Sequence, residues 1–205
     1  MAQVILHIMN YAASYRGNFI DSLDNLDSKM KKDGMENYYL FNAEADNEKS
    51  RVWIDELIAN GKKVRFLTGS IYKDSGIIKQ ILKEEKVAIV HTHFISMQQY
   101  LSVYMATFGR RMPIVMHMHN HSKEATNPVK NILRRFLYSR CTMVACSESV
   151  FHSLERDYPG NQKCAIDNGV NFARLDNYQI ITGAEYGLSD YEKVRNIQLT
   201  QMIKR

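Results

Sequence analysis

The feature that most constrains this chain is an alternation of short apolar runs with helical patterns, sustained about seven times before residue 170. The first run, Gln3-Val-Ile-Leu-His-Ile-Met9, is apolar almost throughout, as a strand buried on both faces requires. Tyr38–Phe41, Val64–Leu67, the runs opening at Val87 and Pro113, Thr142–Cys146 and Lys163–Ile166 repeat it. Between them, apolar residues recur at helical spacing: Phe19, Leu23, Leu26 and Met30, then Val52, Trp53, Ile54, Leu57 and Ile58, then Ile77, Ile78, Ile81 and Leu82. Residues 43–50 are charged and read as a loop, and 97–108 and the stretch up to Leu154 read as helices. Asn127-Pro128 is a helix start, opening a segment with Val129, Ile132, Leu133, Phe136 and Leu137 on one side and Lys130, Arg134 and Arg135 on the other. Strands that alternate with helices must run parallel and be joined by crossovers. The expectation is an α/β fold: an open, mostly parallel seven-stranded sheet with helices on both faces. After Val170 the pattern thins, and residues 171–205 read as a linker, a weak helix near 189–195 and a fraying end.

Two strand ends carry the chemistry. Val87-Ala-Ile-Val-His-Thr-His93 and Pro113-Ile-Val-Met-His-Met-His119-Asn-His121 hold five of the seven histidines: His91, His93, His117, His119 and His121. Side chains just past the carboxyl ends of neighbouring parallel strands converge on one crevice. These imidazoles are therefore expected to share a cleft, where a histidine can donate to a phosphate or sugar oxygen or take a proton from a hydroxyl. Strand periodicity puts His91 and His93 on one face, as in some zinc hydrolases. The first acids after the pairs, Glu124 and Glu148, have no telling spacing, so no metal is expected. A metal-dependent hydrolase using His91, His93, His117 and His119 is the rival reading.

The first turn has neither GxGxxG nor GxxxxGK[ST], only Gly17 before a helix whose free N–H groups could meet an anion. Cys141, Cys146 and Cys164 lack metal or disulfide spacing and suit a reducing compartment. A net charge of +5 suits a phosphate-bearing ligand or an anionic membrane surface. With no leader pattern and no apolar run of about 20 residues, the expected location is the cytoplasm, with room for peripheral contact at the inner face of the membrane.

In order, V-H-T-H, P-I-V-M-H-M-H-N, V-A-C-S-E-S and I-D-N-G-V-N-F resemble the N-terminal domain of family-four retaining glycosyltransferases with the GT-B fold. The resemblance covers about residues 3–175, and Tyr15–Ile20 looks like a branch that makes bacterial surface polysaccharides. It implies a Rossmann-like domain that binds the acceptor, a sugar or lipid-linked sugar, without cofactor or nucleic acid. His119 would be the catalytic residue, near the reacting sugar. Gly17, Asn18, His91, His93, His117, Asn120, Ser147 and Glu148 would line the cleft, and Asn168 and Gly169 would form the hinge. Asn120 stands where the family usually has glycine, and Asn171 where it has aspartate. Residues 176–205 look like a linker and the shortened start of the nucleotide-sugar-binding domain. The chain is then a piece of a larger enzyme, a shortened gene product, or a stand-alone acceptor-side module, inactive alone; a non-catalytic partner subunit of a transferase is a further alternative.

Overall fold

The computed structural model describes residues 2–121 and 128–167. The turn at Asn168-Gly169, the Asn127 cap and the tail expected at 171–205 lie outside the described residues. Seven strands form one sheet: β1 (Gln3–Met9), β2 (Met35–Phe41), β3 (Lys63–Phe66), β4 (Val87–His93), β5 (Ile114–Met118), β6 (Cys141–Ala145) and β7 (Lys163–Ala165). Their order is β3-β2-β1-β4-β5-β6-β7, and every pairing is parallel. Six α-helices make the crossovers: α1 (Gly17–Met30), α2 (Glu48–Ala59), α3 (Ile71–Glu84), α4 (Met97–Thr107), α5 (Pro128–Tyr138) and α6 (Glu148–Asp157). The strand order reverses between β1 and β4. Their carboxyl ends flank the crevice where ligands of such sheets bind.

Alternating strand residues feed two cores. On one face, Ile20 and Leu23 of α1 and Trp53, Ile54 and Leu57 of α2 bury against Met9, Tyr39 and Phe41. On the other, residues of α3, α4, α5 and α6 close over Val4, Leu6, Ile8, Leu40, Val90 and Met116. Each such fully buried aliphatic chain stabilises the fold by roughly 1.5–3 kcal/mol.

Local chemistry sets several boundaries. Helix α2 starts inside the stretch expected to be a loop, because the Asn47 side chain accepts from the N–H groups of Lys49 (3.0 Å) and Ser50 (3.1 Å). Ser96 and Gln99 form a reciprocal capping box that fixes α4 where β4 ends. On α1, buried Asp27 accepts from the backbone N–H of Asn37 and pairs with Lys62, tying the helix to β2.

Candidate active site

Parallel register builds the site. It sets His7 of β1 beside His91 of β4, and His93 beside His117 of β5. The two-residue period then puts His91 and His93 on the face shared by His7 and Met9, with His117 next to them. His119 follows just beyond β5. The rings form one contiguous patch, with centroids 4.0 Å apart for His91 and His93, 4.3 Å for His117 and His119, and 5.5 Å for both His7–His93 and His93–His117.

Two contacts turn part of this patch into a chain. His7 Nδ1 lies 3.2 Å from His93 Nε2, and His93 Nδ1 lies 3.4 Å from His119 Nε2. A neutral imidazole has one donor and one acceptor, so the chain must point one way. Asn37 donates its amide N–H to the Leu23 carbonyl (3.0 Å), which leaves Asn37 Oδ1 and His7 Nε2 as buried atoms without a close hydrogen bond. With the His7 proton on Nε2, His93 and His119 also carry theirs on Nε2; with it on Nδ1, all three reverse. In the first sense His119 Nδ1 is the acceptor end of the chain. Nitrogen NMR at pH 7.5 is expected to find His119 protonated on Nε2; a proton on Nδ1 would reverse the chain.

Burial keeps the cluster neutral. It lowers His7 to about 4 and His117 to about 4, and takes His91 and His93 well below the ordinary imidazole value. Burial, with the neighbouring His117, lowers His119 to about 3.

Aromatic side chains hold the outer ring. Phe94 stacks on His119 at 3.9 Å and 17°, and Phe19 meets the edges of His93 (5.0 Å) and His119 (5.5 Å). Phe94 sits at φ 56°, a costly conformation for a bulky residue that the packing must impose. Tyr11 packs on both Phe19 and Phe94. Gly17 opens α1 at φ 64°, and a Cβ there would come within 2.6 Å of the Tyr11 hydroxyl. So Gly17 makes room for Tyr11, which braces the ring clamp.

At the same sheet edge lies a pocket of about 160 Å³, lined among others by Asn10, Glu44, Asp74, Gln98 and Gln99. The Asn10 backbone N–H donates to the His93 carbonyl (3.1 Å), joining the pocket's rim to the histidine chain. Carboxylates and amides suit neutral hydroxyl groups, and the carboxylates repel phosphate.

The profile of Glycosyltransferase Family 4 matches residues 23–174. The chain belongs to glycosyltransferase family 4. No curated protein matches the sequence. Among solved structures, a glycosyltransferase from Rickettsia africae is 17% identical, with 98% of this chain and 50% of that one covered at a TM-score of 0.65. Anabaena Alr3699/HepE, solved with UDP and glucose, is 17% identical, with 82% and 45% covered at 0.55. S. aureus MnaA, solved with UDP, is 15% identical, with 91% and 52% covered at 0.52. The family-four chain thus spans about half the length of the structures it matches. Its fold is the Rossmann-like domain of GT-B glycosyltransferases, consistent with their N-terminal half.

Within this family-four domain the expected site residues separate. His91, His93, His117 and His119 come together, and His7 joins them. His121 does not: it is exposed and its Nε2 lies 3.4 Å from Ser149 Oγ, because the chain has left the strand and its alternation. Asn120 is exposed just beyond β5, and Asn18 is exposed on the first turn of α1. Ser147 caps α6 by accepting from the Val150 N–H (3.3 Å). Glu148 is exposed on that helix's first turn, favourable for a carboxylate. Asn168 and Gly169 lie outside the described residues. Sequence reasoning missed His7, whose signal was a lone polar residue in the first buried strand. It also missed Tyr11, Phe19 and Phe94, which as aromatic residues look like any core.

Two triads, His7/His91/His93 and His93/His117/His119, bring three imidazole nitrogens within 4.8 Å of one another. Both need His93, whose two nitrogens already contact His7 and His119. Neither triad includes a carboxylate to offset a buried dication. Elemental analysis of the purified chain is expected to find far less than one transition metal per chain. About one zinc per chain that survives dialysis and supports folding would contradict this.

Proposed function

We propose that this chain is the acceptor-side half of a glycosyltransferase that moves a sugar from a nucleotide donor to an acceptor hydroxyl. The observation that carries the reading is the neutral His7–His93–His119 chain, which runs out to His119 at the switch point of the sheet. The adjoining pocket offers carboxylate and amide groups to sugar hydroxyls. A base with a pKa of about 3 holds no proton at pH 7, so His119 first accepts a hydrogen bond and orients the hydroxyl. A donor diphosphate brought beside it would raise its basicity as the hydroxyl loses its proton.

The nucleotide belongs to a second domain in this reading. Support comes from the family match, from coverage of about half of each solved relative, and from the UDP bound in the Anabaena and S. aureus proteins. The acceptor is a sugar or lipid-linked sugar, in surface polysaccharide assembly by the resemblance at Tyr15–Ile20. Calorimetric titration of UDP into the chain alone should show no saturable binding, and joining a family-four donor-binding domain should create it. Micromolar UDP binding by the chain alone would overturn this division of labour.

A further inference from the structure

Helix α5 is built inside out. Only Leu137 and Tyr138 are buried, although the helix repeats apolar residues at 129, 132, 133 and 136, an i, i+3, i+4, i+7 stripe. That stripe faces solvent: Val129 is 70% exposed, Ile132 68%, Phe136 63% and Leu133 45%. The end of α4 extends it. Phe108 is 70% exposed, and the Tyr104 ring lies 5.9 Å from Phe108 and 6.4 Å from Phe136. These five residues are half of the ten large hydrophobic side chains exposed among the described residues, so the patch is a concentration and not scatter.

The charge around the patch has one sign. From Phe108 to Ser147 the sequence holds seven Lys and Arg residues and a single acid, Glu124. On the helical wheel, exposed Lys130 and Arg135 flank the stripe on either side. Arg110 and Arg111, also exposed, follow Phe108. The Arg140 guanidinium donates to the Arg110 carbonyl (2.7 Å) and lies 5.9 Å from the centre of the Tyr104 ring, holding that positive charge at the patch edge.

We propose that the α5 face, with Phe108, docks on an anionic lipid bilayer. An apolar stripe between cationic flanks is what an interfacial helix needs: the stripe enters the acyl boundary while Lys and Arg meet the headgroups. A second copy of this chain is the poorer occupant. A two-fold contact through α5 would bring two sets of Arg135 and Lys130 together with no acidic residue on the helix to separate them. Docking itself does not rest on the sugar-transfer reading, so failure of one leaves the other standing.

Vesicle flotation of the full chain tests this, with phosphatidylcholine vesicles alone and with phosphatidylglycerol added. Binding to the anionic vesicles should be tighter by about tenfold or more and should weaken with added salt. Ile132→Asp/Phe136→Asp replaces two exposed side chains, so the fold should persist by circular dichroism while flotation is lost. Arg110→Glu/Arg111→Glu should remove the anionic preference. Absence of flotation by the parent chain, or flotation of both double variants equal to the parent's, would overturn the proposal. So would a dimer by light scattering that Phe136→Asp dissolves while no vesicle binding is seen.

Discussion

Replacing His119 with alanine is expected to slow sugar transfer by about 10²–10⁴-fold when the chain works with a donor-binding domain, the range for losing a positioned proton acceptor. The fold should survive, because His119 lies beyond β5 and is only partly buried. Its losses are the stack on Phe94 and the contact with His93 Nδ1. His119→Gln separates two roles. Glutamine can accept a hydrogen bond through its side-chain oxygen but takes no proton at neutral pH. Orientation alone would leave His119→Gln well above His119→Ala, whereas proton transfer would leave both equally slow. Equal rates for parent and alanine variant would remove His119 from the reaction. His93→Leu is expected to cost less rate but to shift the proton of His119 between its nitrogens, since His119 Nε2 would lose its partner at His93 Nδ1.

The second large effect is acid sensitivity. His7, His91 and His93 are held neutral by burial, with folded pKa values below the unfolded 6.5. Below pH 6.5 the unfolded chain takes up protons that the native chain refuses. Stability is therefore complete above that pH and is lost as pH falls towards about 4, the folded value of His7. Each of the three costs up to roughly 1.4 kcal/mol per pH unit in this window, or about 4 kcal/mol per unit together. Against a total stability of about 5–15 kcal/mol, unfolding near pH 5 is the expected outcome. Urea titrations at stepped pH from 7.5 to 5 would measure the slope, and His7→Leu should flatten it by about one proton. A stability that stays level down to pH 5 would show that these imidazoles are not buried as described.

The sheet was legible because strands buried on both faces leave apolar runs that nothing else in the chain imitates. All seven appear where runs such as Gln3–Met9 and Thr142–Cys146 placed them, within a few residues. Helix starts were less legible: the Asn47 cap sits in a charged stretch whose polarity hid it. Most of the candidate site could be read, since alternating histidines at 91 and 93 and at 117 and 119 must share a face once the strands are parallel. His7 could not be assigned, because register between β1 and β4 is a property of the packed sheet and not of either segment. The α5 stripe shows the complementary limit. Periodicity says that a helix has an apolar face but not what lies against it, and here that face is exposed. Ser147 and Glu148 fit a family pattern, and the structure gives the serine a helix-capping role.

On the proposed reading, transfer needs this half-site and a donor-binding domain together to hold both reactants at bonding distance. The direct measurement is single-turnover sugar transfer to an acceptor by the chain alone and by the chain joined, covalently or in mixture, to a family-four donor-binding domain. No transfer by the chain alone and restored transfer by the joined protein, lost again with His119→Ala, is the predicted result. Transfer by the chain alone at the rate of the joined protein would contradict it.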